Sequence, residues 1–317
     1  MTSDDTIARA GRPCFRVRVP ASSANLGPGY DSFGLALALY DDFEADPAAA
    51  WSVEIHGEGS GHLRTDAGNL VAKAAIAAME SLGVTPVAAR VVCRNGIPTG
   101  RGLGSSSAAI VGGIMLGHLL CGHEPDRESV FRLADRIEGH PDNVGAAVWG
   151  GFTVSYPDGA GDGCASIPIT GGLAAVVVAR DTPLRTTEAR ALLPETVPHA
   201  DAAFNAAHAG LTVAGFMLGR ADLVRAGLED RLHEQYRSAA IGDLAEVRAL
   251  LLQAGADGAA LSGAGPTVVG IVTAGDDRAA LTRAREVAAA AAGPVGRIAG
   301  RRAPEPLSID RAGAIVR

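Results

Sequence analysis

Apolar and basic positions alternate through Phe15–Pro20, FRVRVP, which predicts a half-exposed strand. Phe33–Leu39, FGLALAL, is an apolar run of strand length, and Trp51–Gly57 predicts another strand. Asn69–Leu82, NLVAKAAIAAMESL, carries apolar residues at helical spacing and stops at Gly83, a suitable helix end. Ala88–Cys93 is an apolar strand. It leads into a glycine-rich stretch and then a small-residue apolar run, Ala108 to Leu120, of helical character. Arg127–Ile137 predicts a further helix. Later come a buried strand at Leu173–Ala179, helices at roughly Ala200–Gly219 and Ala221–Leu228, and a helix at Asp277–Ala292. A turn at Ser262–Gly265 leads into another strand. Residues 1–13 are polar and aperiodic, as in a loose tail. Tyr156–Gly163, YPDGAGDG, reads as a flexible turn, with a domain boundary just beyond it. The mixture of strands and helices predicts an α+β chain.

Composition narrows the picture. A chain of 317 residues fits two domains, and 47% apolar residues can form substantial cores. Aromatics are only 4%, so small residues must carry much of the helix packing. The balance of 28 Lys and Arg against 35 Asp and Glu gives a net charge of −7. That balance argues against nucleic-acid or anionic-membrane partners. Cys14, Cys93, Cys121 and Cys164 show no zinc spacing and read as reduced thiols. No signal core and no run of ~18 apolar residues is apparent, so a soluble, cytoplasmic protein is expected.

The candidate chemistry centres on Asn95–Ala109, NGIPTGRGLGSSSAA. Gly100, Gly102 and Gly104 permit positive φ and close approach of a ligand. Ser105, Ser106 and Ser107 are good helix starters. A glycine-rich loop between a strand and a helix offers free N–H groups and the positive end of a dipole, a phosphate-binding geometry. No lysine follows the glycines as a Walker A loop requires, the GxGxG spacing does not fit the dinucleotide fingerprint, and GxSxG is absent. Three other stretches stand out. Asn25 and Asp31 are the polar residues of a Gly-Pro-Gly turn, where such residues commonly satisfy the turn itself. Glu138, His140, Asp142 and Asn143 crowd one short segment around a proline. Thr186 and Arg190 stand four apart, on one face if that segment is helical.

Taken together, PTGRGLGSSSAA resembles the phosphate loop of the GHMP small-molecule kinases, with Ser107 where alanine is commoner. The block PASSANLGPGYDSFGLAL from Pro20 resembles the first motif of the homoserine kinase branch of that family. EGHPDNVGAAVWGG from Glu138, the TTEAR element ending at Arg190, EDRLHEQYR ending at Arg237, and SGAGPT from Ser262 resemble further segments of it. The resemblance runs from Val17 to Val272 and implies a two-domain GHMP kinase fold. Residues 1–165 would be an N-terminal ribosomal-protein-S5-like α/β domain, and 166–317 a C-terminal ferredoxin-like α+β domain.

It further implies ATP-dependent phosphorylation of a small alcohol, with homoserine the expected acceptor. ATP and Mg2+ are the implied cofactors and a homodimer the implied assembly. Nucleotide contacts are implied for Asn69 and for Pro98, Thr99, Gly100, Arg101, Gly102, Leu103, Gly104, Ser105, Ser106, Ser107 and Ala108. Ser106 and Glu138 are the implied magnesium residues, with Asp135 or Asp142 as alternative carboxylates. Ser106, Glu138, Asp142 and Asn143 are the implied catalytic set. Asn25, Asp31, His140, Asp142, Asn143, Thr186, Arg190, Arg237 and Gly265 are the implied substrate set. Within it, Arg190 and Arg237 would take the substrate carboxylate and Asp31 its ammonium. Two other readings stay open: a GHMP kinase for another small alcohol, and a non-catalytic member of the fold that only binds a small molecule.

Overall fold

The FRVRVP alternation opens a strand that runs further than its pattern, Phe15–Ala24 (β1). From Pro20 onwards every residue of β1 is buried, so alternation disappears where the strand enters the core. A register shift between Pro20 and Ala21 accommodates the proline against the next strand, Phe33–Pro47 (β2). The structure is a computed structural model describing residues 14–159 and 161–317, so the tail expected over 1–13 lies outside the described residues.

β2 pairs antiparallel with β1 along most of its length. It also pairs with Ala89–Asn95 (β4) through Asp41–Pro47, and with Phe152–Pro157 (β5) through Phe33–Leu35. Ser52–Gly57 (β3) joins β4 in parallel, Asp162–Ile167 (β6) joins β5, and Ile315–Val316 (β11) extends the edge at β1. The segment expected to be a flexible turn, Tyr156–Gly163, is instead a paired hairpin. Tyr156 faces Gly163 and Pro157 faces Asp162 across the ladder.

Leu70–Ser81 (α1), Ser105–Leu120 (α2), Arg127–Glu138 (α3) and Pro141–Trp149 (α4) belong with this sheet and its core. A Cβ at Gly113 of α2 would lie 2.4 Å from the Val71 carbonyl of α1, and one at Gly117 would lie 2.5 Å from that of Ala75. Small residues thus set how closely these two helices approach, as the low aromatic content requires.

The second sheet contains Gly172–Val178 (β7), Gly258–Leu261 (β8), Val268–Ala274 (β9) and Glu305–Ser308 (β10). Its order is β10-β7-β9-β8, all antiparallel, which is the ferredoxin-like order. Leu244–Gln253 (α9) and Asp277–Val295 (α10) supply Val247, Leu251, Ala284 and Val287 to its core. The remaining helices are Thr186–Arg190 (α5), His199–Leu218 (α6), Ala221–Gly227 (α7) and Glu234–Ile241 (α8). Both sheets are antiparallel apart from the β3–β4 pair, an α+β arrangement and not a doubly wound parallel one. The chain passes from the first sheet to the second between Ile167 and Gly172, and its last strand returns to the first.

Candidate active site

The glycine loop leaves β4 and enters α2. Gly100, Gly102 and Gly104 have φ of 66, 79 and 70°, the left-handed region that glycine alone enters cheaply. What crowds two of them is protein. A Cβ on Gly102 would lie 2.3 Å from the Ser262 carbonyl oxygen and 2.9 Å from that of Gly265. A Cβ on Gly104 would lie 2.0 Å from Ser22 Oγ. Besides the positive φ expected of them, these glycines let the loop pack on the Ser262–Gly265 turn and on β1. Gly102→Ala is therefore expected to lower Tm by several degrees, since it combines a clash with backbone and a strained φ costing about 1 kcal/mol or more. Thermal melts check this, and a Tm equal to wild type would show that the loop can move off the turn.

The serines do not cap α2. Its N-cap is Gly104, with no side-chain cap bond, and Ala108 N–H makes the first turn's bond back to Gly104. The preceding first-turn N–H groups are left for a ligand. The hydroxyls of Ser106 and Ser107 instead donate to Glu138 Oε1 at 2.5 and 2.9 Å. Beneath the loop entry, Ile97 N–H donates to the buried Asp41 at 2.9 Å. Burial pushes the Asp41 carboxyl up to about 7 from an ordinary 3.8. Its contribution to stability is full below that ordinary value and is lost as pH rises through about 7. Asp41→Asn keeps an acceptor for Ile97 without a charge to bury. Its Tm relative to wild type should climb between about pH 5 and about pH 8, and melts at the two pH values test this.

Glu138 is the last residue of α3. Gly139 ends that helix with φ of 81°, His140 is the N-cap of α4, and Pro141 occupies its first turn. This helix-to-helix corner gathers the four polar residues. His140 Nδ1 is 3.2 Å from Asp142 Oδ1, and its Nε2 is 3.8 Å from Glu138 Oε1. Burial opposes a charge on His140, but the two carboxylates outweigh it and its pKa is raised. Asp142 also accepts from Asn143 N–H at 2.7 Å, while Asn143 Oδ1 accepts from Ser22 Oγ at 2.8 Å. Of the three carboxylates considered for magnesium, Glu138 is the one in contact with Ser106. Asp142 is engaged within the corner. Asp135 does not line the cavity, and burial and the facing Asp162 raise its pKa.

The third group comes from the first motif and from the second sheet's side. Asn25 clamps two turns together: its Nδ2 donates to the Gly263 carbonyl at 2.8 Å, and its Oδ1 accepts from Asp31 N–H at 2.9 Å. Arg190, on α5, forms a bidentate pair with Asp31 at 2.7 and 2.8 Å, and also donates to the Tyr30 hydroxyl at 2.8 Å. Arg237, on α8, is 1% exposed. Its partners are neutral: the carbonyls of Ala189 and Gly263 and the imidazole of His233. The Tyr30 ring lies 5.4 Å from the Arg237 guanidinium carbon and 5.6 Å from that of Arg190.

These groups converge on one cavity of about 150 Å³. Its walls include Gly100 to Gly102, Gly104 to Ser106, Glu138, His140, Asp142 and Asn143, together with Asn25, Asp31, Thr186, Arg190, Arg237 and Gly265. Pro98, Leu103, Ser107 and Ala108 are buried and line neither this cavity nor its neighbour. Asn69 is not in the first cavity. It caps α1, accepting from Val71 N–H at 2.9 Å and donating to the Arg64 carbonyl at 2.6 Å. With Thr99 it lines a second, more apolar cavity of about 290 Å³, which shares Gly100, Ser105 and Ser106 with the first. Sequence reasoning missed Tyr30 and Ser22. The only signal for either was its place inside the first motif. Among the described residues, no helix is long and apolar enough to cross a membrane. Nor do three His, Cys, Asp or Glu side chains gather as a metal cluster.

Residues 69–151 match the GHMP kinases N terminal domain, and 198–291 match the GHMP kinases C terminal domain. The chain is 42% identical over 283 residues to the homoserine kinase of Clavibacter michiganensis subsp. michiganensis, covering 88% of each chain. It is 44% identical over 265 residues to that of Streptomyces coelicolor, covering 82% of this chain and 84% of the relative. The crystal structure of homoserine kinase from Cytophaga hutchinsonii superposes with a TM-score of 0.84 at 24% identity, over 97% of this chain and 98% of that one.

Proposed function

Because this chain belongs to the homoserine kinases, within the GHMP kinase family, we infer that it transfers the γ-phosphoryl group of ATP to the side-chain hydroxyl of L-homoserine. The product is O-phospho-L-homoserine, and the reaction serves threonine biosynthesis. The observation that carries the residue roles is the convergence on one cavity of an uncapped helix N-terminus and two guanidinium groups. An anionic phosphate chain and an anionic amino acid can meet there.

In this reading the apolar second cavity takes the base, with Asn69 at its wall. The triphosphate crosses Gly100–Ser106, where first-turn N–H groups and the helix dipole favour it. Ser106 and Glu138 fit Mg2+, which prefers hard oxygen donors and keeps several waters. The metal would supply charge neutralisation on the transferring phosphates. Arg237 takes the homoserine carboxylate. Arg190 assists it, and its partner Asp31 takes the ammonium. Asp142 and Asn143 orient the hydroxyl, with His140 holding Asp142. No dedicated base is required, because the loose transition state does not demand early deprotonation. Positioning and charge neutralisation then do most of the catalysis.

The chain divides functionally into 1–165, which brings the phosphate loop, and 166–317, which brings both arginines. A cytoplasmic homodimer, without nucleic acid or membrane as partner, completes the proposal. Phosphoryl transfer from ATP should be measured across homoserine, serine, threonine and mevalonate. Homoserine should give the highest kcat/KM. Preference for another alcohol would move the chain elsewhere among GHMP kinases, and no turnover with any acceptor would favour a binding-only member.

A further inference from the structure

His233 is fully buried and caps α8 one helical turn before Arg237. Both of its ring nitrogens have polar partners. Nε2 is 2.8 Å from the carbonyl oxygen of Gly27, and Nδ1 is 3.0 Å from Arg237 Nη1. A carbonyl can only accept and a guanidinium can only donate. Both contacts are satisfied together in one state alone: a neutral imidazole with its proton on Nε2.

We propose that His233 is a positioning residue for substrate binding, its neutral Nε2–H tautomer fixing Arg237 against the turn of the first motif. The proposal rests on the reading of Arg237 as the carboxylate-binding residue. Among Arg237's hydrogen bonds, that to His233 is the shortest, since those to Gly263 and Ala189 are 3.3 and 3.4 Å. Tying down Nη1 directs the guanidinium. Nη2 makes no hydrogen bond among the described residues, and Arg237 lines the cavity. Gly27 lies between Asn25 and Asp31, whose side chain and N–H are bonded to each other. One imidazole therefore joins the arm that takes the carboxylate to the turn that takes the ammonium.

Burial and the adjoining guanidinium keep the ring neutral against the carboxylates near it. From its own segment, Asp230 Oδ2 stands 3.8 Å from Nε2, and Arg237 faces Nδ1. From the first-motif turn come Tyr30, whose ring is 5.4 Å away, and Asp31. Asp230 is the nearest carboxylate, but it is occupied by the N–H groups of Leu232, His233 and Glu234 and by Asn205. Burial lowers the His233 pKa first, and Arg237 lowers it further, against the opposing pull of Asp230.

Two substitutions separate the two contacts. His233→Gln can still reach Gly27 as a donor but removes the acceptor at the Nδ1 position. His233→Asn keeps an acceptor at that position and gives up Gly27. His233→Gln should raise the homoserine KM roughly tenfold, as expected for one hydrogen bond to a charged group, with the ATP KM unchanged. His233→Asn should stay within about threefold of wild type. His233→Gln placed on Arg237→Ala should add nothing further. Equal KM increases in Gln and Asn, or a parallel rise in the ATP KM, would reduce His233 to a packing role and overturn the proposal. If Arg237→Ala raises the homoserine KM and His233→Gln does not, this proposal alone fails. If Arg237→Ala has no effect, the carboxylate reading fails and takes this with it. Should the variants not fold, NMR of native enzyme carrying nitrogen-labelled histidine decides. It should show His233 as the Nε2–H tautomer around neutral pH, and an imidazolium or an Nδ1–H tautomer would overturn the proposal.

Discussion

Glu138→Gln is expected to lower kcat by roughly 10²–10³-fold, the usual cost of losing one preorganised stabiliser of transferring charge. The homoserine KM should stay within about threefold. The substitution keeps the size of the side chain and one oxygen for Ser106 and Ser107, which donate to Oε1 at 2.5 and 2.9 Å. It removes the negative charge. Magnesium is held by few protein ligands, so losing one anionic oxygen weighs heavily. The same variant should need a higher magnesium concentration for half-maximal rate. Steady-state rates across a magnesium titration check both effects. An unchanged kcat with an unchanged magnesium requirement would overturn the proposed metal role of Glu138. The neighbouring carboxylates are poorly placed to substitute: Asp142 is bonded to His140 and Asn143, and Asp135 does not line the cavity.

Much of the site was legible because its elements are local. Three glycines between a strand and a helix need only neighbouring residues to make a turn, and all three have positive φ. The helix over Asn69–Leu82 was found because its periodicity and cap are both local, and Asn69 is its N-cap. What escaped was set by distant partners. α4 was given no element in the sequence, because a His-Pro-Asp-Asn corner carries little periodicity, yet Pro141 suits a first helical position. β10 and β11 are only 4 and 2 residues long, and they exist because β7 and β1 offer open edges. The serines were expected to cap α2, but Glu138, more than thirty positions away, competes for their hydroxyls. Arg190 and Asp31 were assigned separate duties, and the fold pairs them across 159 positions. One sequence without such pairings cannot reveal that an expected substrate ligand already has a protein partner.

Arg237 differs from Arg190 on that point, and the difference sets the size of the last expected effect. Arg190 has a carboxylate partner in Asp31, so part of its charge is balanced within the protein. Among the described residues, the hydrogen-bond partners of Arg237 are carbonyls and the His233 imidazole, with the Tyr30 ring beside it. Burial lowers its pKa, and the nearby Arg190 guanidinium works in the same direction. A buried cation with neutral partners at the wall of a cavity is completed by an anion, and the homoserine carboxylate supplies one. Removing one member of a buried charged hydrogen bond costs ~2–5 kcal/mol. Arg237→Ala should therefore raise the homoserine KM roughly 30-fold or more, since each ~1.4 kcal/mol is a factor of ten. A surface ion pair would be worth only ~0–1 kcal/mol, but at 1% exposure Arg237 is no surface residue. The ATP KM should hardly change, because the guanidinium belongs to the substrate end of the cavity and the phosphate loop is built from other residues. Arg190→Ala should cost less in homoserine KM than Arg237→Ala, because Asp31 is then also released to the ammonium. Steady-state kinetics of both variants decide: a homoserine KM for Arg237→Ala within about threefold of wild type would sink the carboxylate assignment, and with it the strongest structural reason for an amino-acid acceptor.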